Sequence, residues 1–138
     1  MTEKKQEKFP PLLENPVIAG FPSPSEQYID SPLDLNKLLI RNKPATFFVR
    51  VSGDSMIGAG IQSDDLLVVD RSLQPENGSI VIASVDNEFT VKYFYNERGQ
   101  ISLVPANQAY RTIVFHDSME FQLFGVVTSV IHQFTGRK

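Results

Sequence analysis

Six prolines, Pro10, Pro11, Pro16, Pro22, Pro24 and Pro32, crowd the first 32 residues of the 138-residue chain. Each fixes its own φ and removes a backbone donor, so a continuous helix cannot run through this stretch. The expected state of residues 1–32 is an extended or loosely docked, flexible arm. Residues 33–138 then form the folded body. Within the arm, "PVIAGFPSP" is a short apolar stretch ending at Ala19–Gly20 before further prolines. Taken alone, it reads as a patch that pins the arm to the body.

The body opens with "SPLDLNKLLIRN". Ser31 reads as an N-cap, Pro32 as the first helical residue and Asp34 as a first-turn acid, with Leu35, Leu38 and Leu39 at helical spacing. One short helix is predicted, ending before Pro44. The pattern then changes to alternation. "TFFVRV" places Phe47, Val49 and Val51 on one face and Thr46, Phe48 and Arg50 on the other. "DLLVVD", "SIVIASV", "EFTVKYFYN", "ISLVP" and "MEFQLFGVVTSVIHQF" follow, separated by turn formers such as "RSLQPENG" and "ERGQ". Around seven strands with short turns and one helix predict a mostly β domain.

Composition excludes several kinds of chemistry. The chain has no cysteine, so thiol nucleophiles, disulfides and zinc–thiolate sites are ruled out. His116 and His132 are too few and too far apart for the usual helical metal pair, and no metal or cofactor is expected. Apolar residues make up 41% of the chain, enough for a core, while a net charge of −3 lacks the basic excess that phosphate binding requires. No apolar run approaches the roughly 20 residues of a membrane span, and "MTEKKQEKFPPLLENP" lacks the hydrophobic middle of a signal peptide. A soluble, cytoplasmic protein without direct DNA binding or membrane attachment is expected.

One stretch, "VSGDSM" at residues 51–56, carries a candidate nucleophile. Ser55 needs a base to act, and neither histidine has a catalytic neighbourhood; both read as strand or surface histidines. An α/β-hydrolase elbow would need glycine where Ile57 stands, and the S-x-x-K pattern would need lysine where Gly58 stands. Lys92 remains, on the strand face of Thr90 and Phe94. Desolvated there, its amine could accept a proton; equally, its stem could cover apolar surface with its head in water. Spacing leaves both readings of Ser55 and Lys92 open.

"VSGDSM" followed 37 residues later by the lysine of "FTVKYF" resembles the LexA/UmuD-type self-cleaving serine peptidases, whose mark is a Ser–Lys dyad with the serine just before a methionine. "AGFPSP", "DLNKLLI", "ATFFVRVSGDSMIGAGIQSDDLLVVD", "GSIVIASVDNEFTVK" and "FGVVTSVIH" extend the resemblance, toward the UmuD branch, over roughly residues 17 to 134.

The resemblance implies a LexA/signal-peptidase-like β-fold. It makes Ser55 the nucleophile, Lys92 the general base and Ala19–Gly20 the scissile bond, where the UmuD branch usually has Cys–Gly. It also implies an oxyanion hole built from the Ser55 backbone N–H and an adjacent amide of the Gly53–Met56 turn. Further implications are a homodimer, cleavage stimulated by the RecA–single-stranded-DNA filament, and a trimmed product that joins a UmuC-like error-prone polymerase of the DNA polymerase V type in SOS mutagenesis. The 19 residues before the cut leave no room for the helix-turn-helix reader of LexA-type repressors. A catalytically silent β-rich adaptor is the alternative.

Overall fold

In the computed structural model, residues 9–13, 16–20 and 30–135 are described; much of the arm, including its charged start, lies outside them. The chain divides into two compact units, residues 1–38 and 39–138.

In the first unit, β1 (Pro11–Leu13) pairs antiparallel with β2 (Asp30–Pro32), Pro11 facing Pro32. The sequence suggested no strand here. A two-stranded ribbon tolerates proline because both of its strands are edges, where a missing donor breaks no inner ladder. The pairing also moves the start of the helix. Ser31 and Pro32 belong to β2, and α1 (Leu35–Leu39) begins after Asp34, whose Oδ1 accepts from the backbone N–H of Asn36 at 3.0 Å and of Lys37 at 3.4 Å. Asp34 therefore caps this helix, in place of Ser31.

The second unit is mostly β, as the alternation predicted. Its strands are β3 (Thr46–Arg50), β4 (Leu66–Asp70), β5 (Ile80–Val85), β6 (Glu88–Glu97), β7 (Gln100–Val104), β8 (Ile113–Val114) and β9 (Phe121–Ile131). They form one sheet in the order β3-β4-β9-β5-β6-β7-β8, and every pair is antiparallel. Four of the neighbours are sequential hairpins. The exception is β9, which inserts between β4 and β5 and bonds to both.

Two apolar clusters hold the sheet. Val51, Met56, Ile61, Leu67, Val69 and Ile82 form one. Val81, Ala83, Phe94, Leu103 and Val126 form the other. Val81 and Ile82 are adjacent on β5 yet belong to different clusters, so both faces of this strand are covered. This explains why "SIVIASV" reads as a continuous apolar run and not as an alternation.

β9 is bulged twice. Its register shifts against β5 between Ile82 and Ala83, leaving Phe124 as the extra residue, and against β4 between Val68 and Val69, leaving Thr128. A bulge frees backbone groups from the ladder. Arg71 takes up one of them: its Nε donates to the Phe124 carbonyl at 2.8 Å while its guanidinium lies 4.3 Å from the Phe124 ring centre. Thr128 Oγ1 donates to the Val68 carbonyl at 3.3 Å.

Gly125, beside the first bulge, has no room for a side chain. A Cβ there would lie 2.7 Å from Val69 Cγ1 and 3.2 Å from the Asp70 carbonyl oxygen. Gly125→Ala is expected to destabilise the protein by about 1–3 kcal/mol through overpacking. Urea denaturation checks this: the midpoint falls while the dependence on urea is unchanged.

Candidate active site: a serine and a buried lysine in one cleft

The chain leaves β3 through buried Val51 and re-enters the core at Met56, which is 1% exposed. Between these two anchors it must turn sharply. Gly53 supplies the turn with φ of +97°, and its N–H donates to Ser63 Oγ at 3.1 Å. Ser55 is the last residue before the buried methionine, so its hydroxyl is held at the edge of the core. A single 3-10 turn, Ile57–Ala59, follows.

Lys92 comes from the middle of β6 and is 7% exposed. Its Nζ lies 3.0 Å from Ser55 Oγ, 2.6 Å from Thr90 Oγ1 and 3.1 Å from the Val91 carbonyl oxygen. The residues that the alternation placed on one strand face, Thr90 and Lys92, are thus joined at their tips. No carboxylate lies within ion-pair distance of Lys92 among the described residues. Burial without a counter-charge disfavours the ammonium, and the pKa of Lys92 is lowered from its ordinary value by desolvation.

The three partners can satisfy either form of the amine. An ammonium donates to all three oxygens. A neutral amine donates to Thr90 and Val91 and turns its lone pair toward the Ser55 hydroxyl. In that second state Ser55 is the donor, which is the arrangement a general base requires.

The pair opens into a cleft of about 360 Å³ lined by Val49, Leu67, Ile82, Phe89, Thr90 and Val91 as well as by the 50–55 turn and Tyr110. Val49, Val51, Leu67, Ile82, Phe89 and Val91 give it an apolar wall, with Arg50, Asp54 and Tyr110 as polar lining, which suits an extended peptide with small or aliphatic side chains. Gly53's amide is already taken by Ser63, whereas no acceptor among the described residues takes the amides of Asp54, Ser55 or Met56.

A second loop, residues 105–110, braces the serine turn, and the sequence reading passed over it. Ala106 N–H donates to the Ser55 carbonyl at 2.8 Å, and Gly58 N–H donates to the Ala106 carbonyl at 2.8 Å. Asn107 Nδ2 donates to the Asp54 carbonyl at 3.0 Å, and Tyr110 OH donates to Asp54 Oδ1 at 2.6 Å. That last bond, with the carboxylate's charge, raises the Tyr110 pKa. "PANQAY" offers only turn chemistry as a local signal, and its partners lie some fifty residues upstream.

The histidines stand apart from this chemistry. His116 Nδ1 bonds the Ser118 hydroxyl at 2.7 Å. His132 Nδ1 pairs with the buried carboxylate of Asp65, which also accepts from Gln62 N–H at 2.8 Å. Neither histidine lines the cleft. Among the described residues no group of three or more His, Asp or Glu could hold a metal ion, and no helix is long and apolar enough to cross a membrane. Ala19 and Gly20 lie in the first unit, both exposed.

A half-buried serine beside a buried lysine, in a cleft of a β-domain, fits a serine peptidase class that works without histidine. The chain belongs to the family described as Peptidase S24-like, which it matches over residues 11–128. It is 49% identical over 123 residues to Protein SamA of Salmonella typhimurium strain LT2, covering 89% of this chain and 85% of that one. Protein ImpA of Escherichia coli is 46% identical over 124 residues, 89% of this chain and 83% of the relative. The LexA repressor of Acetivibrio thermocellus is 39% identical over 126 residues, 88% of this chain but 58% of the repressor. The resemblance to the LexA/UmuD-type family, read from the motifs, is thereby borne out.

Burial of Lys92 has a consequence for stability. Because its folded pKa lies below the unfolded value of 10.5, the unfolded state binds more protons in the window between the two. Stability therefore rises with pH across that window and is lowest below it, where the buried ammonium is fully charged. Lys92→Met removes the titration. The stability of Lys92→Met relative to the wild type is expected to be greatest near neutral pH and to decline as pH rises toward 10.5. Thermal unfolding of both proteins at several pH values measures it, and parallel curves would contradict the burial of a titrating amine.

Proposed function

We propose that the chain is a self-cleaving serine peptidase of the UmuD type that cuts its own Ala19–Gly20 bond. The observation that carries the reading is the 3.0 Å approach of Lys92 Nζ to Ser55 Oγ, with the amine desolvated and no carboxylate beside it. Neutral Lys92 takes the hydroxyl proton as Ser55 Oγ attacks the Ala19 carbonyl carbon. The oxyanion is met by the Ser55 N–H and an adjacent amide, that of Asp54 or Met56. Collapse breaks the Ala19–Gly20 bond, the new amino terminus leaves with the proton from Lys92, and water then hydrolyses the ester.

The arm itself supports its role as substrate. Val17 and Ile18, just before the bond, are 86% and 56% exposed, so apolar side chains are free to meet the apolar wall of the cleft. Gly20 has open space around its Cα and lets a nucleophile approach the preceding carbonyl closely. Docking of the arm expels water from Lys92 and lowers its pKa further, which couples docking to reaction. In this reading the RecA–single-stranded-DNA filament promotes docking, and the trimmed homodimer joins a UmuC-like polymerase in the cytoplasm for translesion synthesis. The family and the UmuD-like relatives support that assignment in general terms.

Self-cleavage of the purified protein, followed by mass spectrometry of the fragment beginning at Gly20, tests the mechanism. The rate is expected to rise by up to about tenfold per pH unit from neutrality until the lowered Lys92 pKa is passed. Ser55→Ala and Lys92→Met are expected to yield no fragment at any pH. A flat wild-type profile, or an active Lys92→Met, would remove lysine as the base. Wild-type cleavage at another bond would remove the Ala19–Gly20 assignment, and Gly20→Glu is expected to abolish cleavage at this bond while leaving the second unit folded.

A further inference from the structure

The two peptide groups that flank Ser55 are both held from the 105–110 loop. A trans peptide is planar, with its N–H antiparallel to its C=O, so fixing one end of the plane aims the other. The Asp54 carbonyl and the Ser55 N–H share one such plane, and the Ser55 carbonyl and the Met56 N–H share the next. Ala106 N–H holds the second plane through the Ser55 carbonyl at 2.8 Å. Asn107 holds the first, its Nδ2 donating to the Asp54 carbonyl at 3.0 Å. The other bond to that carbonyl, from Ile57 N–H, is longer at 3.2 Å and comes from the same turn, so it ties the turn only to itself.

We propose that Asn107 is a positioning residue for the reaction, aiming the Ser55 N–H at the developing oxyanion by anchoring the Asp54 carbonyl. This rests on the self-cleavage reading above. The side chain suits the task because both of its ends are engaged. Oδ1 accepts from Ala109 N–H at 2.9 Å, which fixes the amide plane and leaves Nδ2 pointing at Asp54. Tyr110 adds a third tie through the Asp54 carboxylate at 2.6 Å. On the far side, Gly58 lets the loop close up: a Cβ there would sit 2.7 Å from the Ala106 carbonyl oxygen. The side chains of Asn107 and Tyr110 bond neither Lys92 nor any of its three partners, so they act on the oxyanion and not on the base. Catalysis by preorganised amides depends on their aim before the charge develops, because a donor that must first rotate gives back part of its stabilisation.

The substitution that isolates this role is Asn107→Asp. It keeps the shape and the acceptor for Ala109 N–H, removes the donor, and turns a carboxylate oxygen toward the Asp54 carbonyl. In the full chain, the alkaline plateau of self-cleavage is expected to fall about ten- to hundredfold, toward the loss seen when an oxyanion donor is deleted. In Asn107→Ala, which adds no charge, the plateau should fall likewise and the midpoint of the pH profile should stay at the wild-type value, because Lys92 is untouched.

NMR gives a readout that does not need cleavage. In a Ser55→Ala background, Asn107→Asp should move the Asp54 carbonyl-carbon resonance and the amide resonance of residue 55. A plateau within about twofold of wild type, a midpoint displaced in Asn107→Ala, or unmoved resonances would each overturn the positioning role. A Ser55→Ala protein that still cuts would instead sink the self-cleavage reading, while the resonances would still decide whether Asn107 holds the peptide.

Discussion

The ladder bonds of β9 to β4 on one side and β5 on the other are what the site depends on. Ser55 follows the β3 edge of the sheet, and Lys92 belongs to β6 on the opposite flank. β4 and β5 are consecutive in the chain, yet they never pair with each other. Each is bonded to β9 instead, so the serine-bearing and lysine-bearing hairpins are joined through a strand from far along the chain. The bulges at Phe124 and Thr128 let one strand match two partners whose registers differ, and Gly125 removes the side chain that the tight approach of Val69 forbids. The 3.0 Å separation of Oγ and Nζ is thus a property of the whole sheet.

An amine replaces histidine as a base more readily when something lowers its affinity for protons, because free lysine is almost wholly charged at neutral pH. A neighbouring cation could do this, but among the described residues the cause of the shift at Lys92 is desolvation. The fold uses burial alone. Thr90 and the Val91 carbonyl compensate the amine's N–H groups without adding a full negative charge, which would have pulled the pKa back up. No acidic partner bonds the amine among the described residues, which separates this site from a Ser–His–Asp arrangement, in which a carboxylate supports the base.

Much of this was legible in the sequence because strands announce themselves locally. Alternation in "TFFVRV" and "EFTVKYFYN" located β3 and β6 to within a residue or two, and it placed Thr90 and Lys92 side by side. Local cues failed where the structure is settled by remote pairing. Ser31–Pro32 is a sound helix start on its own, but Pro32 pairs with Pro11 twenty-one residues earlier, and the helix begins at the next available cap, Asp34. The same limit hid the brace. Asn107 and Tyr110 look like ordinary turn residues until the fold sets them against Asp54. His132 reads as a strand or surface histidine, and nothing near it in the chain points to its partner, Asp65. Bringing Ser55 to Lys92 was beyond pattern altogether, and only the family resemblance linked them.

The position of β9 also orders events during synthesis. Ser55 and Lys92 have both been made well before residues 121–131, yet until that strand emerges β4 and β5 have no common neighbour. At about 5–20 residues per second, the ribosome adds the intervening segment over a few seconds, during which the nucleophile and the amine exist without being assembled. A nascent chain therefore lacks the strand that joins the two hairpins, and one truncated before β9 never gains it. Whatever the pair does, it can be done only by a molecule translated through β9.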